Sequence, residues 1–301
     1  MEPRLTHPPL RPLGEHGKNS AFVDQPASVA PVRRFLHSGD HRSRGKYARS
    51  SHPSSLPHPA EFRSVSAPTE TPHWRPSVAM IPFPGLTMLD LIGPYETLRE
   101  HTDVHLLHTT TDEFFSDSGA PFRATERLAD AADHYDVIFV PGGNGTADAM
   151  RDPEVIDFLA TRGPRARYVT SVCTGSLVLG AAGLLDGYRA TTHWSMLDAL
   201  PLFGAVPTQQ RVVIDGNRIT GGGVTAGIDF GLILLAEMFD EETARYAQLL
   251  LEYDPHPPFD GGSPRSTSRQ AVQRVREYVA PLLTSCERFV TEKGGGTAEY
   301  S

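Results

Sequence analysis

The sequence predicts an α/β domain built on a doubly wound parallel sheet. Short apolar runs at residues 78–81, 104–107 and 136–140 alternate with segments of helical pattern. Continuous apolar strands separated by helices are typical of a parallel sheet that is covered on both faces. A β-branched run at 167–172 stops at Cys173, where a small-residue helical pattern begins at once. We therefore expect Cys173 on a sharp strand-to-helix turn, the geometry that exposes the nucleophile of many hydrolases.

The other elements follow from local patterns. A first helix is expected from the segment 87–96, and a short strand at 189–192. The runs 211–215 and 217–220 flank an Asp-Gly pair, which predicts a hairpin. Apolar periodicity predicts helices over 153–161, 225–239, 241–253 and 268–290.

Residues 1–76 differ in composition from the rest of the chain. They hold twelve of the 26 prolines and seven of the 13 histidines, and no periodic apolar pattern. Such a segment cannot bury enough surface to offset its conformational entropy. The sequence therefore predicts a disordered extension over 1–76, an α/β domain over 77–265, and a C-terminal helix and tail over 266–301. A targeting or partner-binding tail is the alternative interpretation of 1–76.

Charge and cysteine usage limit the possible partners. Residues 77–301 carry 17 Lys/Arg against 30 Asp/Glu, a net charge of −13, which argues against nucleic-acid binding. Two cysteines in so long a chain argue against a disulfide framework and fit a reducing compartment. No run approaches the ~18 apolar residues of a membrane span, and no secretory signal is evident. We expect a cytoplasmic protein without membrane or nucleic-acid partners.

Three segments should converge on one crevice, because ligands bind beyond the carboxyl ends of parallel strands. Cys173, Asp90 and the pair Gly142–Gly143 each follow such an end. A lone cysteine is usually a small buried hydrophobe, but at a helix N-terminus its thiol pKa is lowered and it becomes a nucleophile. Asp90 can be the N-cap of the next helix, a desolvated carboxylate that exchanges protons, or both at once.

The glycine pair and His193 are equally open to two interpretations. Gly142 and Gly143 either form a plain turn or let backbone N–H groups approach a ligand, as in an oxyanion site. His193, beside Trp194, either packs or takes part in chemistry. Because the body offers no paired His/Cys ligand spacing and no phosphate-loop or dinucleotide fingerprint, we expect neither metal nor cofactor.

Several motifs together resemble the DJ-1/PfpI superfamily, whose fold is flavodoxin-like and related to class I glutamine amidotransferases. The resemblance rests on the motifs PGG at 141–143, SVCTGS at 171–176 and ATTHW at 190–194. Within that superfamily the sequence is similar to the isonitrile hydratases, through LDLIGP at 89–94 and the runs 167–185, 220–230 and 251–264. The resemblance covers residues 77 to about 290.

The resemblance implies a homodimeric hydratase that adds water to a small-molecule isonitrile, without cofactor, and yields an N-substituted formamide. Cys173 would attack the terminal carbon to give a thioimidate, Asp90 would handle protons, and Thr174 would shape the site. Gly142, Gly143 and His193 are the expected substrate-binding positions. Peptidases of the superfamily have a histidine where this chain has Thr174, and most chaperone-like or deglycase-like members have a glutamate in place of Asp90.

Two other functions stay open at this point. The same domain could serve as a non-catalytic sensor in which Cys173 is an oxidation switch, or it could carry another cofactor-free activity of the superfamily, such as glyoxal-type hydration. A DNA-binding role is not expected, because the related transcription regulators add two helix-turn-helix units for which the segment after Pro264 is too short.

Overall fold

The structure is a computed structural model that describes residues 75–294. The predicted extension over 1–76 lies outside the described residues except for its last two positions, as does the end of the predicted tail. The strands are β1 (Ser77–Met80), β2 (Asp103–His108), β3 (Glu113–Phe115), β4 (Pro121–Arg123), β5 (Glu126–Arg127), β6 (Val137–Val140), β7 (Tyr168–Val172), β8 (Arg189–Ala190), β9 (Val206–Pro207), β10 (Val212–Asp215) and β11 (Arg218–Gly221).

A seven-stranded sheet organises the domain, in the order β10-β11-β7-β6-β1-β2-β5. Neighbouring strands pair in parallel, except that β10 and β11 form an antiparallel hairpin. Strands β1, β6 and β7 are almost completely buried. Their apolar runs therefore form the centre of the core, which agrees with the predicted parallel α/β fold.

The helices are α1 (Met88–Leu98), α2 (Thr146–Ala149), α3 (Pro153–Arg162), α4 (Gly175–Ala181), α5 (Ala226–Met238), α6 (Glu241–Leu250) and α7 (Arg269–Glu292). Helix α5 packs against both α1 and α6, while α7 packs against α2 and against the 3-10 helix Trp194–Phe203. In the described part of the chain, no helix has the length and apolar character needed to cross a membrane.

Several short elements differ from the sequence prediction, and two of them show why. The strand expected over 189–192 is only the two residues of β8, because the 3-10 helix begins shortly after it. The β3–β4 hairpin was not expected, since strands of three residues are too short to show an alternating pattern. Neither difference affects the central strands, whose carboxyl ends carry the candidate site.

Candidate active site

Cys173 stands on a tight turn between β7 and α4, as the sequence predicts. Its φ of 54° lies in the left-handed region, which costs a residue other than glycine about 1–3 kcal/mol. The surrounding backbone fixes this conformation. The Cys173 N–H donates to the carbonyl oxygens of Gly221 (3.0 Å) and Gly222 (2.8 Å), at the end of the neighbouring strand β11. The Cys173 carbonyl accepts from Thr192 Oγ1 at 2.9 Å and Ser176 Oγ at 3.2 Å.

Asp90 is fully buried in the first turn of α1 and faces the elbow. Its Oδ2 accepts the N–H of Gly142 at 3.0 Å, while Oδ1 has no hydrogen-bond partner among the described residues. The Cys173 thiol lies close enough to the carboxyl group to affect its pKa. The N-cap interpretation of Asp90 is wrong, because Thr87 precedes the helix at that position.

Burial raises the pKa of Asp90 from 3.8 to about 7. The Gly142 N–H and the Cys173 thiol favour the charged form and partly offset this effect, while the nearby charge of Asp117 adds to it. A carboxyl group with this pKa exchanges protons readily near neutral pH.

The Cys173 thiol does not have the lowered pKa that the helix N-terminus predicts. Burial raises its pKa well above the ordinary value, and the charge of Asp90 raises it further, although the nearby backbone N–H groups of Val224 and Thr174 favour the thiolate. Helix α4 has only seven residues, and desolvation outweighs its effect. The resting group is therefore a protonated thiol whose proton has one adjacent acceptor, the Asp90 carboxylate.

The glycine pair lies between Asp90 and the elbow, at a point with no space for side chains. A Cβ on Gly142 would lie 2.5 Å from the backbone nitrogen of Thr174 and 2.9 Å from Asp90 Oδ2. Gly143 has a φ of 144°, and a Cβ there would lie 2.4 Å from the carbonyl oxygen of Gly85. The Gly143 N–H donates to Thr174 Oγ1 at 3.0 Å. Both glycine N–H groups thus hold side chains of the protein itself.

Thr174 joins the elbow to the glycine pair through its hydroxyl group. Threonine often caps a helix with this oxygen, but here it lies 2.6 Å from Thr146 Oγ1, and Thr146 Oγ1 donates to the Gly143 carbonyl at 2.7 Å. Because the Thr146 proton goes to that carbonyl, Thr174 donates to Thr146 and accepts from Gly143. Sequence reasoning missed Thr146, which lies in no recognisable motif.

His193 lies beside the elbow but outside the Cys173–Asp90 pair. Its Nδ1 is 2.6 Å from Ser195 Oγ, its ring lies against Gly223, and burial lowers its pKa. No hydrogen bond joins it to Cys173 or Asp90 in the described part of the chain. Within residues 75–294, no cluster of His, Cys, Asp and Glu side chains could hold a metal ion.

His193 lines a cleft of about 430 Å³, which we call the Trp194 cleft. Its walls are the start of the 3-10 helix with Trp194 and Leu197, the segment 209–211, the segment 222–226 and the loop 262–265. Val224, whose backbone N–H favours the Cys173 thiolate, belongs to this wall. Sequence reasoning missed Val224, because 51 residues separate it from the elbow and only the β7–β11 pairing brings it there.

Comparison with known proteins gives consistent matches. The model of the DJ-1/PfpI family matches residues 76–237. Isonitrile hydratase of Pseudomonas putida is 49% identical over 208 residues, which cover 68% of this chain and 91% of that protein. A solved THiJ/PfpI family protein from Pseudomonas syringae has a TM-score of 0.70 and 44% identity, covering 72% of this chain and 91% of its own. The HTH-type transcriptional regulator CdhR of Pseudomonas aeruginosa is 32% identical over 176 residues, 54% of this chain and 50% of the regulator.

Proposed function

The chain belongs to the DJ-1/PfpI family, and we propose that it is an enzyme that adds water to isonitriles and releases N-substituted formamides. The extent of its similarity to the Pseudomonas putida isonitrile hydratase supports this activity. The observation that carries the proposal is the buried contact between the Cys173 thiol and the Asp90 carboxyl, whose pKa of about 7 suits proton transfer at neutral pH.

The first half of the reaction adds the thiol across the terminal carbon of R–N≡C. The Asp90 carboxylate takes the thiol proton as sulfur forms a bond to carbon, and the new carboxylic acid delivers that proton to the same carbon. The product is a thioimidate, R–N=CH–S–Cys173. N–H groups of Val224 and Thr174 stabilise the negative charge on sulfur during proton transfer.

The second half of the reaction hydrolyses the thioimidate. Water adds its oxygen to the same carbon, and Asp90 relays a water proton to the substrate nitrogen. The tetrahedral adduct then loses its hydroxyl proton as the C–S bond breaks, which releases R–NH–CHO, and Asp90 returns a proton to the sulfur. One carboxyl group therefore serves both half-reactions, alternating between base and acid.

The other site residues divide into positioning and binding roles. Gly142 holds Asp90 through its N–H, and Gly143 and Thr174 lock the glycine loop onto the elbow. We propose that His193, which lines the Trp194 cleft, contacts the N-substituent of the substrate.

The oxidation-switch alternative fits the geometry less well. Redox-sensing cysteines combine a low pKa with solvent access, whereas Cys173 is 5% exposed and its pKa is raised. The two buried, unbonded cysteines favour a reducing compartment, for which we propose the cytoplasm. The net charge of −13 on residues 77–301 supports a small-molecule substrate rather than a nucleic-acid partner.

We also propose a homodimer, formed through the exposed apolar side chains of α1. Met88, Leu89 and Ile92 are 40%, 37% and 37% exposed on the helix that carries Asp90. Leu89 and Ile92 share a small apolar depression with Ile228. Light scattering of Ile92→Lys against Val206→Lys, an exposed apolar residue outside this face, tests the interface: only the α1 variant is expected to become monomeric.

We also propose that the α/β domain spans 77–265, that the C-terminal helix and tail span 266–301, and that residues 1–76 are dispensable for activity.

The test of function uses the pure chain of 301 residues and cyclohexyl isocyanide, with N-cyclohexylformamide measured by mass spectrometry. We expect formamide to accumulate catalytically, without added metal or cofactor. The absence of turnover would overturn the proposed function.

A further inference from the structure

The Trp194 cleft has the size of a ligand site. Its volume of about 430 Å³ falls within the ~300–1,000 Å³ range of small-molecule pockets. Trp194 and Leu197 give the lining an apolar part, and Arg265, on the loop 262–265, also lines the cleft. The cleft is therefore large enough for a substituent with an apolar group and a polar head.

The cleft shares a wall with the elbow. Val224 lines the cleft, and its backbone N–H lies near enough to the Cys173 sulfur to favour the thiolate. Thr192 also lines the cleft and donates to the Cys173 carbonyl at 2.9 Å. Two residues of the cleft wall are thus neighbours of Cys173, so an N-substituent that extends past them enters the cleft.

The charge of the lining is opposite to that of the body. Residues 77–301 carry a net charge of −13, yet the cleft is lined by two arginines and by no Asp or Glu. Asp229, which is not part of the lining, pairs with Arg211. Arg265 is exposed and has neither a hydrogen bond nor an ion pair with any described residue. One uncompensated guanidinium group therefore faces a cleft that contains no carboxylate.

We propose that the cleft selects isonitriles whose N-substituent carries a carboxylate beside an apolar group, as in isonitriles derived from amino acids, and that Arg265 binds the carboxylate. This inference rests on the proposed function. A guanidinium group binds a carboxylate through two parallel hydrogen bonds, and the apolar group packs against Trp194 and Leu197. Arg265 then determines specificity without taking part in the chemistry.

The test compares 2-isocyano-3-phenylpropanoate with its methyl ester, which differs in charge but little in size. We expect kcat/KM of the wild-type protein to be about tenfold higher for the carboxylate, the effect of one hydrogen-bonded charge pair. In Arg265→Gln the ratio of the two kcat/KM values should fall to near one. Arg269→Gln, at the exposed start of α7, is the matched control and should keep the wild-type ratio.

An ester hydrated as efficiently as the carboxylate, or an unchanged ratio in Arg265→Gln, would overturn the inference. If neither compound nor cyclohexyl isocyanide is turned over, the proposed function has failed, and the cleft is tested by product binding. Calorimetry with N-formylphenylalanine and its methyl ester should then show tighter binding of the acid to wild-type protein and no preference in Arg265→Gln. Equal binding of acid and ester to wild-type protein would overturn the anion preference itself.

Discussion

The two cysteines of the chain form a natural comparison. Both are free and buried, and burial raises the pKa of both thiols, that of Cys286 to about 12. Cys286 lies within the regular helix α7, where Arg151 and Glu287 act on it through charge alone. Cys173 lies on a strained turn, with backbone N–H groups and a buried carboxyl group close to its sulfur.

This difference shows that burial alone gives an inert thiol. In Cys173 the same desolvation acts on two groups at once, because it raises the pKa of Asp90 as well. The carboxyl and the thiol then form a pair between which a proton can move. The reactivity of the site therefore depends on the Asp90 carboxyl group beside the cysteine, and not on the cysteine alone.

The largest expected effect is the loss of activity on substitution of Cys173, which substitution of Cys286 should not cause. Because only Cys173 forms a bond to substrate, Cys173→Ala should lower the rate of formamide formation about 10⁴-fold or more. Cys286→Ala should keep the wild-type rate and lower the free energy of unfolding by about 1 kcal/mol, as measured by chemical denaturation. Substantial turnover by Cys173→Ala would remove the distinction between the two residues.

Removing the proton acceptor should separate turnover from the reactivity of the Cys173 thiol. Asp90→Asn keeps the size of the side chain but cannot accept the thiol proton, so we expect kcat to fall about 10²–10⁴-fold. Alkylation by iodoacetamide at pH 8, followed by mass spectrometry, provides a second readout. Because the charge of Asp90 raises the pKa of Cys173, its removal favours the thiolate, and Cys173 in Asp90→Asn should be alkylated at least as fast as in the wild type. A variant with unchanged kcat would show that another group moves the proton.

The pH profile tests the pair without mutation. The base must be ionised, and burial raises the pKa of Asp90 to about 7. Hence kcat/KM should fall about tenfold per pH unit below this value. Asp117→Asn removes a negative charge that raises the Asp90 pKa, and should move the acid limb to lower pH. An acid limb near pH 4, the ordinary range of aspartate, would contradict the role of burial.

The smallest effect concerns the hydroxyl that joins the elbow to the glycine loop. Thr174→Val leaves the Gly143 N–H and the Thr146 hydroxyl without their partner, and we expect about a tenfold loss of kcat/KM, with Thr174→Ser restoring most of it. Steady-state kinetics at two pH values would show that the acid limb stays in place. A shifted limb would instead make Thr174 part of the proton-transfer machinery.

The central sheet and the elbow follow from the sequence because both depend on local pattern. Apolar runs fix β1, β6 and β7, and the abrupt change at Cys173 marks the turn. The pKa of Cys173 could not be predicted, because a helix N-terminus is visible in sequence whereas desolvation by neighbouring segments is not. The same limit applies to Thr146 and Val224, which reach the site only through packing of segments distant along the chain.

The tight packing around Gly142 also limits which positions can be varied to change the substrate range of the protein. No side chain fits there without displacing the Thr174 backbone and the Asp90 carboxylate, so random libraries that include this position will consist mostly of inactive variants. Trp194 and Leu197 face open space and hold no part of the proton-transfer pair. Substitutions that let the protein act on new isonitriles should therefore occur at residues that line the cleft, while Cys173 and Asp90 stay unchanged.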